Sequence, residues 1–350
     1  MYIIIAIVAF GVLVAVHELG HFIAAKSLGI KVNEFAIGMG PKIVSKQKGE
    51  TAYSLRVLPI GGFCAMEGED GEAEDPRAFV NKSIPKRLVV LIAGSLMNFL
   101  VGFLIVLILF SGRGYYSQPV LTGFMDGFPL EGESGLMAGD RIVSVDGHHV
   151  SLVEEVTLYL SRGDGKTADI VVRRDGKRVR LDDLPLQLRE YETENGTEMK
   201  YGLYFKVVES SFGELIRQTW ANSIYFVKMV RMGLSDLITG GAKLRDLSGP
   251  VGIVSMINEV GQSSPTTSAA LWSVAYLIAF IAVNLSVMNM LPIPALDGGR
   301  VFVMLVSWCI EKIIRRKLNP KVEAYIHGAG LVLLLALMAY VMFNDIVKLF

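Results

Sequence analysis

Cysteine is scarce, with only Cys64 and Cys309 in 350 residues. Two such distant thiols offer neither a disulfide framework nor a cysteine metal site. Charge is scarce too: charged residues make up 19% of the chain, with Lys+Arg and Asp+Glu at 34 each. There is no basic excess to neutralise phosphates, which excludes a nucleic-acid binder. The polar balance of a soluble protein is also missing, because 52% of the residues are hydrophobic. That composition describes a membrane protein.

A hydrocarbon core about 30 Å thick needs roughly 20 apolar residues at helical rise. Four stretches approach that length: Tyr2 to Ala25, Leu88 to Phe110, Ala269 to Leu291 and Ala329 to Phe343. The first has no basic residue before its apolar run and no small-residue cleavage site, so it reads as a retained anchor. Short basic loops mark the cytoplasmic side. Arg300, Lys312, Arg315, Arg316, Lys317 and Lys321 face the single acid Glu311; Lys26, Lys31, Lys42, Lys46 and Lys48 open the first loop, and Lys82, Lys86 and Arg87 close it. Both loops are expected inside, and the polar segment from Ser111 to Ser268 and both termini outside.

The chain divides into 1–111, the first two spans with an inward hairpin loop; 120–208, a globular segment; 209–268, an amphipathic linker at the membrane surface; and 269–350, the last two spans. The hairpin is expected from Pro41 to Gln47 and Thr51 to Leu58, turning at Gly49 and ended by Gly61-Gly62. The acidic stretch from Glu67 to Asp75 reads as a solvated linker. In the globular segment, Gly135 to Gly139 predicts a short helical turn and Arg141 to Val145 a strand. Leu152 to Leu160 predicts a helix, and Ala168 to Arg173 with Lys177 to Leu181 a hairpin turning at Asp175-Gly176. Apolar residues from Phe212 to Leu237 recur at helical spacing, which suits either a surface helix or an ordinary packed one.

The chemistry lies in the first span. His17, Glu18 and His21 sit in an otherwise apolar helix, where each ionisable group costs about 3 kcal/mol on insertion scales and so calls for a role. His17 and His21 are four apart, hence on one face, where two imidazoles can reach one zinc ion, with Glu18 placed to take a proton from water on the metal. Polar packing between helices is the competing reading. Two histidines leave a catalytic zinc one protein ligand short. Asp297 is the natural third, since Pro292 and Pro294 break the third span just before it, and such a break is tolerated only in protein or beside a wet cavity. Its competing role is a cap for a helix over Val301 to Ile314.

With these motifs the chain resembles the site-2 protease family of intramembrane zinc metalloproteases, and within it the bacterial regulator-of-sigma-E-protease group. The likeness rests on His17-Glu18-x-x-His21, Asn289-x-x-Pro-x-Pro-x-Leu-Asp297-Gly, Gly94-Ser95-Leu96-Met97-Asn98 and Ser248-Gly249-Pro250-Val251-Gly252-Ile253. The segment 120–208, above all Gly139-Asp140-Arg141-Ile142, resembles one PDZ domain of envelope proteases; some relatives carry two in tandem.

The resemblance implies a polytopic α-helical membrane protein of about four transmembrane helices with an intramembrane zinc site, plus one extracytoplasmic PDZ domain of α+β fold, in the bacterial cytoplasmic membrane. It implies zinc-dependent cleavage of single-span membrane proteins inside their own helices, after a site-1 protease has shortened them; anti-sigma factors and remnant signal peptides are the typical classes. It places the inward hairpin beside the active site as a strand for unwound substrate, and gives Asn289 a role in steadying the substrate or oxyanion, alongside its alternative as a helix-packing amide. Competing functions are a membrane-anchored peptidase of soluble proteins with a Glu as third ligand, and a non-catalytic PDZ scaffold or chaperone.

Overall fold

The computed structural model describes residues 1–350 except 70, 72, 194, 195, 317–319, 349 and 350. Asp70 and Glu72 of the acidic stretch and Lys317 of the basic loop thus lie outside the described residues. Two compact units are present: Met1–Val106 with Phe226–Phe350, and Leu107–Tyr225.

The first unit is helical, with one long hairpin. Its helices are α1 (Tyr2–Ser27), α2 (Ile84–Ser111), α4 (Phe212–Thr239), α5 (Pro250–Ser263), α6 (Thr267–Asn289), α7 (Asp297–Ile314) and α8 (Pro320–Lys348), with α2 and α4 running across the unit boundary. Tyr2–Ser27, Ile84–Ser111, Thr267–Asn289 and Tyr325–Lys348 are long and apolar enough to cross a membrane. These match the four expected stretches: the third keeps its length but lies two residues earlier, and the other three are longer than expected.

Two apolar cores hold this unit together. One gathers Ala25, Ile30, Val32, Cys64, Phe79, Val90 and Met304; the other gathers Ala6, Leu13, Ile257, Val274 and Ala282. Ile257 belongs to α5, so part of the stretch read as a surface linker is packed into the bundle. Two features fix α5 there. Pro250 opens it, where the missing N–H is no loss, and the Asp345 carboxylate of α8 accepts from Gly249 N at 2.9 Å and Gly252 N at 2.8 Å. Phe226 of α4 is buried edge-on against Tyr276 and Phe280 of α6.

The hairpin is longer than its sequence signals. β1 (Val32–Lys48) and β2 (Thr51–Met66) pair antiparallel about the turn at Gly49. Gly61-Gly62 does not end it; β2 runs on to Met66 because Cys64 and Met66 are buried in the first core. Each of Glu34 to Ile37 has a partner on both sides: Ala65 back to Gly62 in the opposite direction, and Ala52 to Leu55 with numbers rising together. The hairpin therefore folds back on itself, and Gly62–Met66 forms an outer edge among the described residues. Phe22 of α1 packs tilted against Phe35 and edge-on against Tyr53, with ring centres 5.2 and 5.8 Å apart, tying the sheet to the first span.

The acidic stretch, expected as a solvated linker, is anchored by ion pairs at Glu67, Glu69 and Asp75, while Glu74 is exposed. Glu67 accepts from Asn33 at 2.9 Å and pairs with Lys31 at 3.3 Å, and Asp75 pairs with Lys31 and Arg77. Glu69 pairs with Arg300 on α7. Nearby cations supplied by distant parts of the chain account for the difference.

The second unit carries a sheet ordered β10-β3-β4-β6-β7, with β5 beside β4, and helix α3 (Val153–Arg162). The strands are β3 (Tyr115–Phe124), β4 (Arg141–Val145), β5 (His148–His149), β6 (Ala168–Arg174), β7 (Lys177–Leu184) and β10 (Leu203–Glu209); β8 (Arg189–Thr193) and β9 (Gly196–Lys200) form a separate hairpin. Leu121, Ile142, Val145, Val156, Ile170 and Val172 are buried in it. Asp175 and Gly176 both take positive φ, 49° and 80°, the geometry of a two-residue turn matched to strand twist. No helical turn forms over Gly135 to Gly139; Leu136 instead bridges Glu131, and Arg174 forks onto the buried Asp140.

Candidate metal centre

Three elements bring the polar groups together. His17 and His21 occupy successive turns of α1 and are buried, at 8% and 6% exposure. Asp297 opens α7 directly after the break that follows α6. Between the two helices the chain turns through Met290 to Leu296 with Ala295 at φ 77°, and close contacts brace the turn. A Cβ on Gly298 would lie 2.3 Å from the Met290 backbone, and one on Gly299 2.0 Å from Ile293 O. The two glycines let α7 start tight against the break.

Asp297 does not serve as the cap of a helix starting near Val301. Helix α7 begins at Asp297 itself with Leu296 as its N-cap, and the carboxylate points to the histidines. Asp297 Oδ2 is 3.1 Å from His17 Nε2 and 3.3 Å from His21 Nε2, and the two Nε2 atoms are 3.2 Å apart. Donor atoms about 2.0–2.1 Å from a tetrahedral zinc stand roughly 3.3–3.5 Å from one another, so this triangle fits one such ion. A hydrogen-bonded cluster fits less well, because Asp297 Oδ2 is buried and accepts no directed hydrogen bond. His17, His21 and Asp297 can therefore hold a zinc ion.

Surrounding groups orient the imidazoles. His21 Nδ1 donates to Val90 O of α2 at 2.8 Å, which fixes the tautomer and leaves Nε2 free to ligate. The rings meet edge to face, 4.7 Å between centres at 85°. Gly94 of α2 lies directly against both rings. The Asn289 amide nitrogen sits 3.4 Å from His17 Nδ1, so the last residue of α6 faces the centre.

Glu18 projects beside the histidines toward the hairpin. A Cβ on Gly62 would come within 3.5 Å of Glu18 Cγ and 2.8 Å of Ala36 O. Gly62, in the outer edge Gly62–Met66, thus packs beside Glu18. All five site residues, His17, Glu18, His21, Asn289 and Asp297, belong to the first unit. Sequence reading missed Val90, which acts through its carbonyl and leaves no side-chain signal.

The family model described as peptidase family M50 matches residues 5–337. A protein of Clostridium perfringens named as a zinc metalloprotease is 35% identical over 349 residues, covering 99% of each chain. The regulator of sigma-W protease RasP of Bacillus subtilis is 28% identical, covering 98% of each chain. The zinc metalloprotease RasP of Geobacillus kaustophilus is 29% identical, covering 98% of this chain and 97% of its own.

Proposed function

The chain belongs to peptidase family M50 and is a zinc metalloprotease of the site-2 type; from that premise we propose that it cuts the membrane-spanning segments of single-span proteins. The observation that carries this reading is the triangle of His17, His21 and Asp297, whose two histidines lie on a helix apolar enough to span a bilayer. His17, His21 and Asp297 hold one zinc ion in this reading. When bound, the zinc supplies Lewis acidity toward the scissile carbonyl and toward water.

The chain's own groups do the rest. Glu18 takes a proton from the attacking water and returns it to the leaving amine, a task for a carboxylate next to the metal ligands. Val90 O holds the His21 ring so that its Nε2 lone pair faces inward. Asn289 steadies the substrate carbonyl near His17. A peptide bond inside a helix is shielded, so the substrate must unwind, and the outer edge Gly62–Met66 offers backbone groups to receive it as an added strand beside Glu18.

The second unit serves as a PDZ-type filter. Its sheet, the helix α3 and a cavity lined by Ser117, Val153, Glu154, Thr157, Leu158 and Tyr225 suit an extended peptide. The basic loops read from the sequence put this unit and both termini outside the cytoplasm. Substrates are then stubs already trimmed outside by a site-1 protease. The name regulator of sigma-W protease, carried by a relative, supports an anti-sigma factor among them; remnant signal peptides are the second class.

The test is cleavage of a pre-trimmed single-span substrate by full-length protein in liposomes. Wild type should cut it within its span, and Glu18→Gln should leave it intact. Cleavage only outside the span, or undiminished cleavage by Glu18→Gln, would overturn the reading.

A further inference from the structure

In the second unit, three arginines stand side by side across three adjacent strands. Arg141 on β4 is the direct partner of Arg173 on β6, and Arg173 is the direct partner of Arg178 on β7. Directly paired residues share a face, and like charges placed so are destabilising. The whole chain is neutral, with 34 residues of each sign, so the ladder does not follow from a general basic bias.

Nor is the ladder neutralised by its neighbours. Arg141 donates to the Gln118 side chain at 3.2 Å, an amide and not a carboxylate. Among the described residues no carboxylate pairs with Arg173 or Arg178. The adjacent arginines on the same two strands behave differently: Arg174 forks onto Asp140, and Arg180 pairs with Asp182 and Asp169. Acids are thus supplied to the neighbours and withheld from the ladder.

A concavity of about 210 Å³ lies over these residues, lined by Arg141, Arg173, Arg178, His149 and Arg217. Arg217 is shared with Glu214, 2.9 Å from its Nε, and the buried Glu155 carboxylate is engaged by the backbone N–H groups of Ser151 and Leu152. We propose that this concavity is a binding site for a phosphoryl group, either free phosphate or the phosphate of an anionic lipid headgroup. Guanidinium forks match oxyanions in pairs of parallel hydrogen bonds. A carboxylate has two oxygens and is served by one or two such forks; a phosphoryl group presents three or more, as several converging arginines require. The volume suits a single headgroup and not a larger ligand, whose pockets begin at about 300 Å³. The bound anion would offset the repulsion that the empty ladder carries.

The test is calorimetric titration of inorganic phosphate into full-length protein in a neutral detergent at constant ionic strength, with acetate in parallel. Wild type should bind phosphate with saturation. Arg173→Gln with Arg178→Gln should weaken it at least tenfold, yet melt no lower than wild type without ligand, since the substitutions relieve repulsion. Arg180→Gln, on the same sheet but ion-paired, should bind as wild type does. Equal phosphate binding by wild type and the double variant overturns the site, and acetate binding as tight as phosphate reassigns it to a peptide carboxylate and overturns the phosphoryl assignment. Nanodiscs of phosphatidylglycerol, compared with phosphatidylcholine, separate the sources: displacement of phosphate by the former identifies a lipid headgroup, and its absence identifies soluble phosphate.

Discussion

Gly94 on α2 faces His21 so closely that a Cβ there would lie 2.3 Å from His21 Nε2 and 2.8 Å from His17 Cε1. The atom a side chain would strike is the one that faces Asp297. Gly94→Ala is therefore expected to push the imidazole off its position and empty the metal centre. Zinc measured on the purified variant should fall well below the wild-type level while the four apolar helices still insert. Full zinc in Gly94→Ala would mean that α2 does not press on the centre.

The cap that Asp345 lends to α5 is a second expectation. Its carboxylate satisfies two N–H groups at the helix start, and loss of such a cap costs about 0.5–2 kcal/mol. Asp345→Ala should lower the melting temperature in detergent, and Asp345→Asn, which keeps an acceptor, should restore most of it. Melting unchanged in Asp345→Ala would show that packing of Ile257 alone holds α5.

Legibility in the sequence followed the range of the interactions. His17, Glu18 and His21 were readable because four residues of helix fix their shared face, and Asp297 because two prolines announce the break before it. Gly94 and the Ser248 to Ile253 run stood out as motifs, but their purposes, clearance for His21 and a cap from Asp345, depend on partners far along the chain. Strand β2 was cut short at Gly61-Gly62 because glycine usually ends a strand. Here the pair instead lets the edge pass close to Ala36 O and Glu18, and burial of Cys64 and Met66 carries the strand on. The acidic stretch misled for a similar reason: Lys31, Asn33 and Arg300 reach it only through the fold.

The hairpin also has a pH signature. Burial would raise the Glu34 carboxyl, but the Ser54 hydroxyl, Arg56 and Lys42 outweigh it and hold it at about 2, below its ordinary 4.5. A depressed carboxyl contributes stability that is whole above its unfolded value and is lost as pH falls through the folded one. Protection factors in β1 and β2, taken relative to intrinsic exchange at each pH, should fall between about pH 4.5 and 2, and Glu34→Gln should show faster exchange at neutral pH already. Identical exchange in Glu34→Gln and wild type at pH 7 would remove Glu34 from the hairpin's stability.

The most direct measurement is zinc per chain in four purified proteins, namely wild type, Glu18→Gln, Asp297→Ala and the double variant His17→Ala with Asp297→Ala. A site with three protein ligands predicts about one equivalent in wild type, the same in Glu18→Gln, a marked loss in Asp297→Ala and none in the double variant. One full equivalent in the double variant, or none in Glu18→Gln, would contradict a centre built from His17, His21 and Asp297 with Glu18 beside it as the base.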